Sequence, residues 1–220
     1  VLSMSDLKKE QQFLLMVTRM GTIKKVALAD MQNVRRSGLI AIKLASEDVL
    51  EWVVPTSGKD DIFLVSQNGQ AIRYSEAAVR PMGRTAGGVR GMKLKNKDAI
   101  VGMSVIDPAI HKPNTLVLIV TSLGFGKRTP LKQFKRQGRG GVGIKIAKVG
   151  AKTGGIVGAF LLPEGSEARE GDMIIISSKG QVIRLSSKTV SELGRATQGV
   201  KVMRFKEAKD EVVSVSLLPA

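Results

Sequence analysis

One plan is written four times along this 220-residue chain, and no other feature of the sequence narrows the fold so far. Each copy opens on an apolar run, turns at a glycine and places a basic residue four positions later. It then crosses a polar stretch to a second glycine and closes on another apolar run. The opening stretches read FLLMVTRMGTIKKV (13–26), DIFLVSQNGQAIRYS (61–75), TLVLIVTSLGFGKRT (115–129) and MIIISSKGQVIRL (173–185). The turn glycines Gly21, Gly69, Gly124 and Gly180 lie 48, 55 and 56 residues apart. The second glycines, read as Gly38, Gly88, Gly140 and Gly199, follow 17, 19, 16 and 19 residues later. The closing runs start at Asp48, Asp98, Gly154 and Asp210. A period of this length, with several short strands per unit, marks a propeller-like array or solenoid.

Alternation supports strands within each unit. In Ile40–Leu44 the isoleucines and leucine share one face while Ala41 and Lys43 share the other, and Met92–Leu94, Ile144–Ile146 and Met203–Phe205 repeat that pattern. Ile72–Arg73–Tyr74 and Ile183–Arg184–Leu185 set an arginine opposite apolar neighbours, which predicts an outward arginine. Asn68–Gly69 and Lys179–Gly180 read as hairpin turns whose glycine takes positive φ. Stretches such as Ser187–Leu193 leave room for one helical turn. The expected fold class is all-β, a single array over 1–220 with repeats near 13–61, 62–114, 115–172 and 173–220. Residues 1–12 resemble the end of a preceding unit plus a linker, so a chain that starts inside a longer array is expected.

The array carries little that could do covalent chemistry. Cysteine is absent, which excludes a disulfide scaffold and thiol catalysis. The one histidine, His111, is expected as an exposed loop residue and excludes multi-histidine metal sites. Asp48, Asp98 and Asp210 recur at equivalent positions and so read as turn formers rather than a carboxylate pair. Tyr74, the only tyrosine, reads as packing. No metal or cofactor site is expected in the chain. The apolar runs fall far short of the ~18 residues of a membrane span. Neither a secretory leader nor a membrane partner is expected.

The charge is informative instead. Net charge is +16, and it is uneven: about +1 over 13–61, +5 over 62–114, +6 over 115–172 and +4 over 173–220. A folded array this basic points to a polyanion, because phosphate contacts release condensed counterions. The cations also recur in register. Four residues after the first glycine stand Lys25, Arg73, Arg128 and Arg184; five after the second stand Lys43, Lys93, Lys145 and Arg204. Around the second glycine stand Arg35, Arg36, Arg84, Arg136, Arg139 and Arg195, with Arg90, Lys135 and Lys201 beside them. Equivalent positions in an array fall along one rim, which makes a track suited to a phosphate backbone. One Trp and one Tyr are too few for a single-strand stacking platform, so duplex is favoured. Two other readings remain: a protein-interaction propeller that docks an acidic partner, and an RNA-binding array.

The units TIKKVALADMQNVRRSGLIAIKL, QAIRYSEAAVRPMGRTAGGVRGMKL, GFGKRTPLKQFKRQGRGGVGIKI and QVIRLSSKTVSELGRATQGVKVMRF closely resemble the C-terminal repeats of the DNA gyrase A protein, over essentially the whole chain. The resemblance implies a β-pinwheel, whose four-stranded blades share strands between neighbours. It implies duplex DNA wrapped on the basic outer rim in support of negative supercoiling. It also implies a non-catalytic module partnered by the rest of the gyrase A protein and by the gyrase ATPase, with ATP and Mg²⁺ confined to other parts of the holoenzyme, in the bacterial cytoplasm at the nucleoid. Gyrases carry a Q-R-R-G-G-K-G box in the first blade. The nearest match here, Gln137–Gly143, lies in the third unit and lacks two basic residues, so these units read as the last four blades. The related A-type component of topoisomerase IV is the alternative within the family, and the regular repeat favours gyrase.

Overall fold

Each unit builds most of one antiparallel sheet, and the second, third and fourth each lend a short strand to the sheet before. The structure, a computed structural model, describes residues 12–31, 38–95, 97–112 and 114–218. The first sheet runs β3 (Leu50–Thr56), β1 (Phe13–Thr18), β2 (Thr22–Ala27), β6 (Val89–Arg90). The second runs β10 (Ile144–Lys145), β5 (Gln70–Ser75), β4 (Asp61–Ser66), β7 (Ile100–Ile106). The third runs β11 (Ile156–Leu162), β8 (Leu116–Thr121), β9 (Phe125–Pro130), β14 (Val200–Lys201). The fourth has three strands: β13 (Val182–Ser186), β12 (Asp172–Ser177), β15 (Val212–Leu218). The all-β class and strand sharing are as expected, with β4 and β12 opening at Asp61 and Asp172.

The hairpins form where the turn glycines fall. Gly69 has φ +81° and Gly180 has φ +82°. Single 3-10 turns at Leu28–Met31, Glu76–Ala78, Leu131–Gln133 and Ser187–Thr189 follow each hairpin, including the one anticipated after Ser187. In two of them a serine caps the turn: Ser75 Oγ accepts from Ala77 N and Ser186 Oγ from Lys188 N. The helix α1 (Glu167–Glu170) occupies the linker before β12, capped by Ser166.

The core lies between sheets, because a twisted sheet with two apolar faces must be covered on both. Along β4, Ile62 and Leu64 pack with Leu15, Val17 and Ile23 of the first unit. The alternate residues Phe63 and Val65 pack with Val117, Ile119 and Phe134 of the third. Leu116, Leu118 and Val120 of β8 face Met173, Ile175 and Val190 of the fourth. Burying each such side chain contributes about 1.5–3 kcal/mol. Phe63 and Phe134 meet edge to face at 5.2 Å.

Two strand expectations need correction. Ile40–Leu44 forms no strand: Ile40 is 74% exposed, and no earlier sheet among the described residues offers it an edge. Its equivalents are only two residues long, and in the second and fourth units they sit at Val89–Arg90 and Val200–Lys201, ahead of the alternating Met92–Leu94 and Met203–Phe205. The alternation marks the residues whose side chains reach back to the core, Met92 and Met203, rather than the paired backbone.

Candidate nucleic-acid interface

Strands β3, β7, β11 and β15 touch one another in succession and so line the middle of the array. The two-residue strands β6, β10 and β14 lie at the far side of their sheets, which puts them on the perimeter. Each ends in an exposed cation: Arg90, Lys145 and Lys201. Their registers agree, with Arg90 opposite Thr22, Lys145 opposite Gln70 and Lys201 opposite Phe125, each one residue past a turn glycine.

That agreement corrects the reading of the third unit. Gly143, not Gly140, is its second glycine. A Cβ on Gly143 would meet the Ala71 carbonyl oxygen at 2.3 Å, as one on Gly88 would meet that of Ile23 at 2.7 Å and one on Gly199 that of Gly126 at 2.7 Å. Lys145 therefore belongs with Arg90 and Lys201, and Lys148 takes the position that spacing assigns to Lys145, beside Lys93 and Arg204. Backbone bonds confirm the set: Lys43 N donates to Ala86 O, Lys93 N to Gly141 O and Lys148 N to Thr197 O, each crossing to the next unit. Lys43, Lys93, Lys148 and Arg204 are all exposed. Lys43, Arg90 and Lys93 edge an open groove of about 670 Å³ between the first two units, with Asp48 also in its wall.

The arginines before the second glycine reach across the joints. Arg139 donates from Nη1 to the Arg90 carbonyl at 2.6 Å and from Nε to Ala78 O at 2.9 Å. Arg195 Nη1 donates to the Lys145 carbonyl at 2.9 Å. The perimeter thus carries successive cation pairs, Arg90 with Arg139 and Lys145 with Arg195. Arg84 and Lys135 are exposed. Lys201 turns back, donating to Leu123 O at 2.7 Å with its ammonium 4.8 Å from the Phe125 ring and 5.5 Å from that of Phe205. Arg35 and Arg36 lie outside the described residues.

The outward reading of the hairpin cations fails at three of four positions. Lys25 is 4% exposed, lies 3.4 Å from Glu76 and 4.8 Å from the Phe13 ring centre, and has no path to an outside ligand. Arg73 is mostly covered, bonding Asp61 at 2.9 Å. Arg128 donates to the carbonyls of Val190 at 2.6 Å and Lys188 at 3.0 Å; burial, beyond the opposing effects of Glu192 and Arg169, pulls its pKa down. The next unit covers these side chains. Arg184, with no following unit among the described residues, stays exposed beside Asp172 at 2.6 Å. Arg136 is intermediate in role, its side chain 58% exposed but its Nε 2.7 Å from Asp61.

Sequence reading passes over Lys24 and Lys127, both fully buried. Lys24 Nζ donates to the carbonyls of Ala41 at 2.7 Å and Ala86 at 2.8 Å and also to that of Arg84. Lys127 Nζ donates to Gly194 O and Arg195 O, both at 2.7 Å, and to Thr197 Oγ1 at 3.1 Å. Their spacing in the sequence, three residues past Gly21 and Gly124, is the signal that could have found them.

The acids behave as turn formers. Asp48 Oδ1 accepts from Met20 N and Val49 N, and Asp98 Oδ1 from Asn68 N and Ala99 N. Tyr74 is buried in the core, its phenol pushed well above its ordinary range by burial. His111 is half-buried rather than exposed: its Nδ1 accepts from Asp107 N at 3.0 Å, which folds the linker on itself. No group of three or more His, Cys, Asp or Glu gathers among the described residues. No helix among them is long and apolar enough to cross a membrane.

Known proteins share this arrangement. The family described as "DNA gyrase C-terminal domain, beta-propeller" matches residues 12–57, 60–107, 115–163 and 171–219, one match per unit. The DNA gyrase A protein of Staphylococcus epidermidis is 36% identical over 205 residues, 93% of this chain and 22% of that protein. That of Mycolicibacterium smegmatis is 37% identical over 210 residues, 94% of this chain and 24% of that protein. The chain thus spans about a quarter of the length of these curated relatives. Among solved structures, the C-terminal domain of DNA topoisomerase IV superposes with TM-score 0.86 at 26% identity, covering 99% of this chain and 65% of that one. The DNA gyrase A C-terminal domain gives 0.77 at 28%, covering 95% and 66%. With every unit matched in order, the chain belongs to the DNA gyrase C-terminal domain family and has its β-pinwheel fold.

Proposed function

We propose that the perimeter of this array holds double-stranded DNA by its phosphates and bends it around the rim, in support of negative supercoiling by a gyrase holoenzyme. The observation that carries this reading is the ladder of perimeter cations Arg90, Lys145 and Lys201, joined at two of its steps by Arg139 and Arg195. Cations at one repeat position are spaced by the units themselves, so they follow a backbone rather than read bases. Smoothly bending a 20–30 bp site by 40–90° costs on the order of 1–6 kcal/mol, an amount that six or so phosphate contacts offset at moderate salt. The chain itself is non-catalytic. Bond breakage, ATP and Mg²⁺ belong to the rest of the gyrase A protein and to the gyrase ATPase, in the cytoplasm at the nucleoid.

The test is the salt dependence of duplex affinity. Arg90→Ala with Lys145→Ala should weaken binding alike on unrelated sequences and flatten the slope of log K against log salt by about 1.8, or ~0.9 per contact. An unchanged slope, or a loss confined to one sequence, overturns the reading. The close superposition on the topoisomerase IV domain supports a second assignment, to the A-type component of that enzyme. Relaxation and religation of nicked circular DNA with the chain separates them: a shift in linking number supports the wrapping that supercoiling needs, and binding without a shift favours the second.

A further inference from the structure

We propose that Lys24 and Lys127 are positioning residues for the rim, fixing from beneath the backbone that carries Arg84 and Arg195 without touching nucleic acid themselves. The inference rests on the duplex-binding reading above and names the groups that set its geometry.

Both ammonium groups are sealed from solvent, and each meets three oxygen acceptors, which uses all three of its protons. Neither takes part in a salt bridge among the described residues. A buried charge answered only by carbonyl and hydroxyl dipoles is costly, and packing does not require it. The chain itself shows the apolar substitute. The same repeat position holds Ile72 and Ile183, and a Cβ on Gly141 would lie 3.6 Å from Ile72 Cδ1, so in the third unit the corresponding loop rests on a hydrocarbon. That loop has an added tie in Arg136 to Asp61, while Arg139 reaches Ala78 and Arg90 across the joint much as Arg195 reaches Lys145 in the fourth unit. The acceptors of the two lysines include the carbonyls of Arg84 and Arg195 themselves. The lysines therefore fix where those two side chains leave the backbone.

The arrangement titrates. Burial lowers the pKa of Lys127 to about 8, with the Arg195 charge adding to the effect, and burial lowers that of Lys24. Around Lys127, β8 carries no ionisable residue, β14 carries Lys201 with its ammonium turned to Leu123 O, and the held loop carries Arg195. Around Lys24, the held loop carries Arg84. Loss of a proton turns one donor into a lone pair facing an oxygen, so the 194–197 loop loosens as pH rises.

The experiment is a pH profile of binding to a labelled duplex of mixed sequence, at constant ionic strength, from about pH 7 to about 9.5, below the range of an ordinary lysine. Wild type should lose roughly tenfold in affinity with a midpoint near 8. Lys127→Met should start at the weakened level and stay flat, and Lys127→Ile, the residue the repeat already uses, checks that the array still folds. In an Arg195→Ala background the lysine substitution should no longer matter. Wild-type affinity and pH profile in a folded Lys127→Met variant overturn the proposal. If no variant, wild type included, binds duplex, the functional reading fails; positioning then stands only if Lys127→Met speeds amide exchange at Arg195–Gly199, and falls if it does not.

Discussion

The third and fourth sheets are built to one plan and differ in what lies against them. All six residues of β8 are buried, because the second unit covers one face and the fourth covers the other. In β12 burial alternates: Met173 and Ile175 are sealed against the third unit while Ile174 and Ile176 are only half covered. At the turns the contrast is sharper. Gly124 and Gly180 share the left-handed conformation, at φ +74° and +82°. A methyl group on Gly124 would lie 2.5 Å from the Met203 carbonyl, whereas one on Gly180 would meet nothing within 4 Å. The hairpin is locally encoded in both. What the fourth sheet lacks among the described residues is the next unit's strand, and Val182 on its edge is 59% exposed.

Substitution at the two glycines should break the resemblance most. Gly124→Ala combines left-handed strain with a collision against backbone and should cost about 3 kcal/mol, releasing β14. Gly180→Ala meets only the strain, about 1 kcal/mol. Urea midpoints of the two variants decide it, and equal losses would mean that β14 does not hold the third sheet as closely as the geometry requires.

The carboxylates at the sheet starts give a smaller contrast. Asp61 is fully buried, and its Oδ2 answers Arg73 at 2.9 Å and Arg136 of the next unit at 2.7 Å. Asp172 is only partly covered and meets, among the described residues, the single cation Arg184 at 2.6 Å. Asp61→Asn should cost about 2–3 kcal/mol, less than a fully buried pair because Arg136 stays wetted. Asp172→Asn should cost less than about 1 kcal/mol. A loss at Asp172 as large as that at Asp61 would show that burial and the added partner Arg136 contribute nothing beyond a single half-exposed pair.

The repeat makes the hairpins, the closing strands and the single-turn helices legible, because each is fixed within a few residues by glycine conformation and alternation. The joints are not legible in the same way. Ile40–Leu44 and Ile144–Ile146 carry the same alternation, yet only the latter includes a strand, since a two-residue strand exists by virtue of the edge it meets. Lys25, Arg73 and Arg128 alternate as solvent-facing cations do, but the face they occupy is covered by a neighbouring unit that no local pattern reveals. Gly143 stands 19 residues after Gly124, the interval that Gly88 and Gly199 keep in their own units, so reading Gly140 as the second glycine passes over the regular spacing and moves Lys145 into the place of Lys148. The perimeter cations Arg90 and Lys145 are readable as rim residues because they are set by register with the preceding turn, which the repeat preserves.

The smallest effect belongs to the acid that closes the fourth hairpin. Inside the array Asp98 accepts from two backbone amides, those of Asn68 and Ala99. Asp210 takes more: Ser177 Oγ at 2.6 Å, Ser178 Oγ at 2.9 Å, Lys179 N at 3.0 Å and Glu211 N at 2.9 Å. Burial alone would raise its pKa, but those four bonds to the carboxylate outweigh it and hold the group below its ordinary value. An acid depressed on folding stabilises above its unfolded pKa, about 3.9, and that contribution is lost as pH falls through the lower folded value. Amide protection at Ser178–Gly180, taken relative to the intrinsic exchange rate at each pH, should therefore fall on acidification below about pH 4 in wild type. Asp210→Asn should show the lowered protection already at neutral pH and change little with acid. A variant that keeps the wild-type acid response would assign it to other carboxylates. The denser cap would then do no more than its counterpart at Asp98, and the fourth hairpin would lack the local compensation that the geometry gives it.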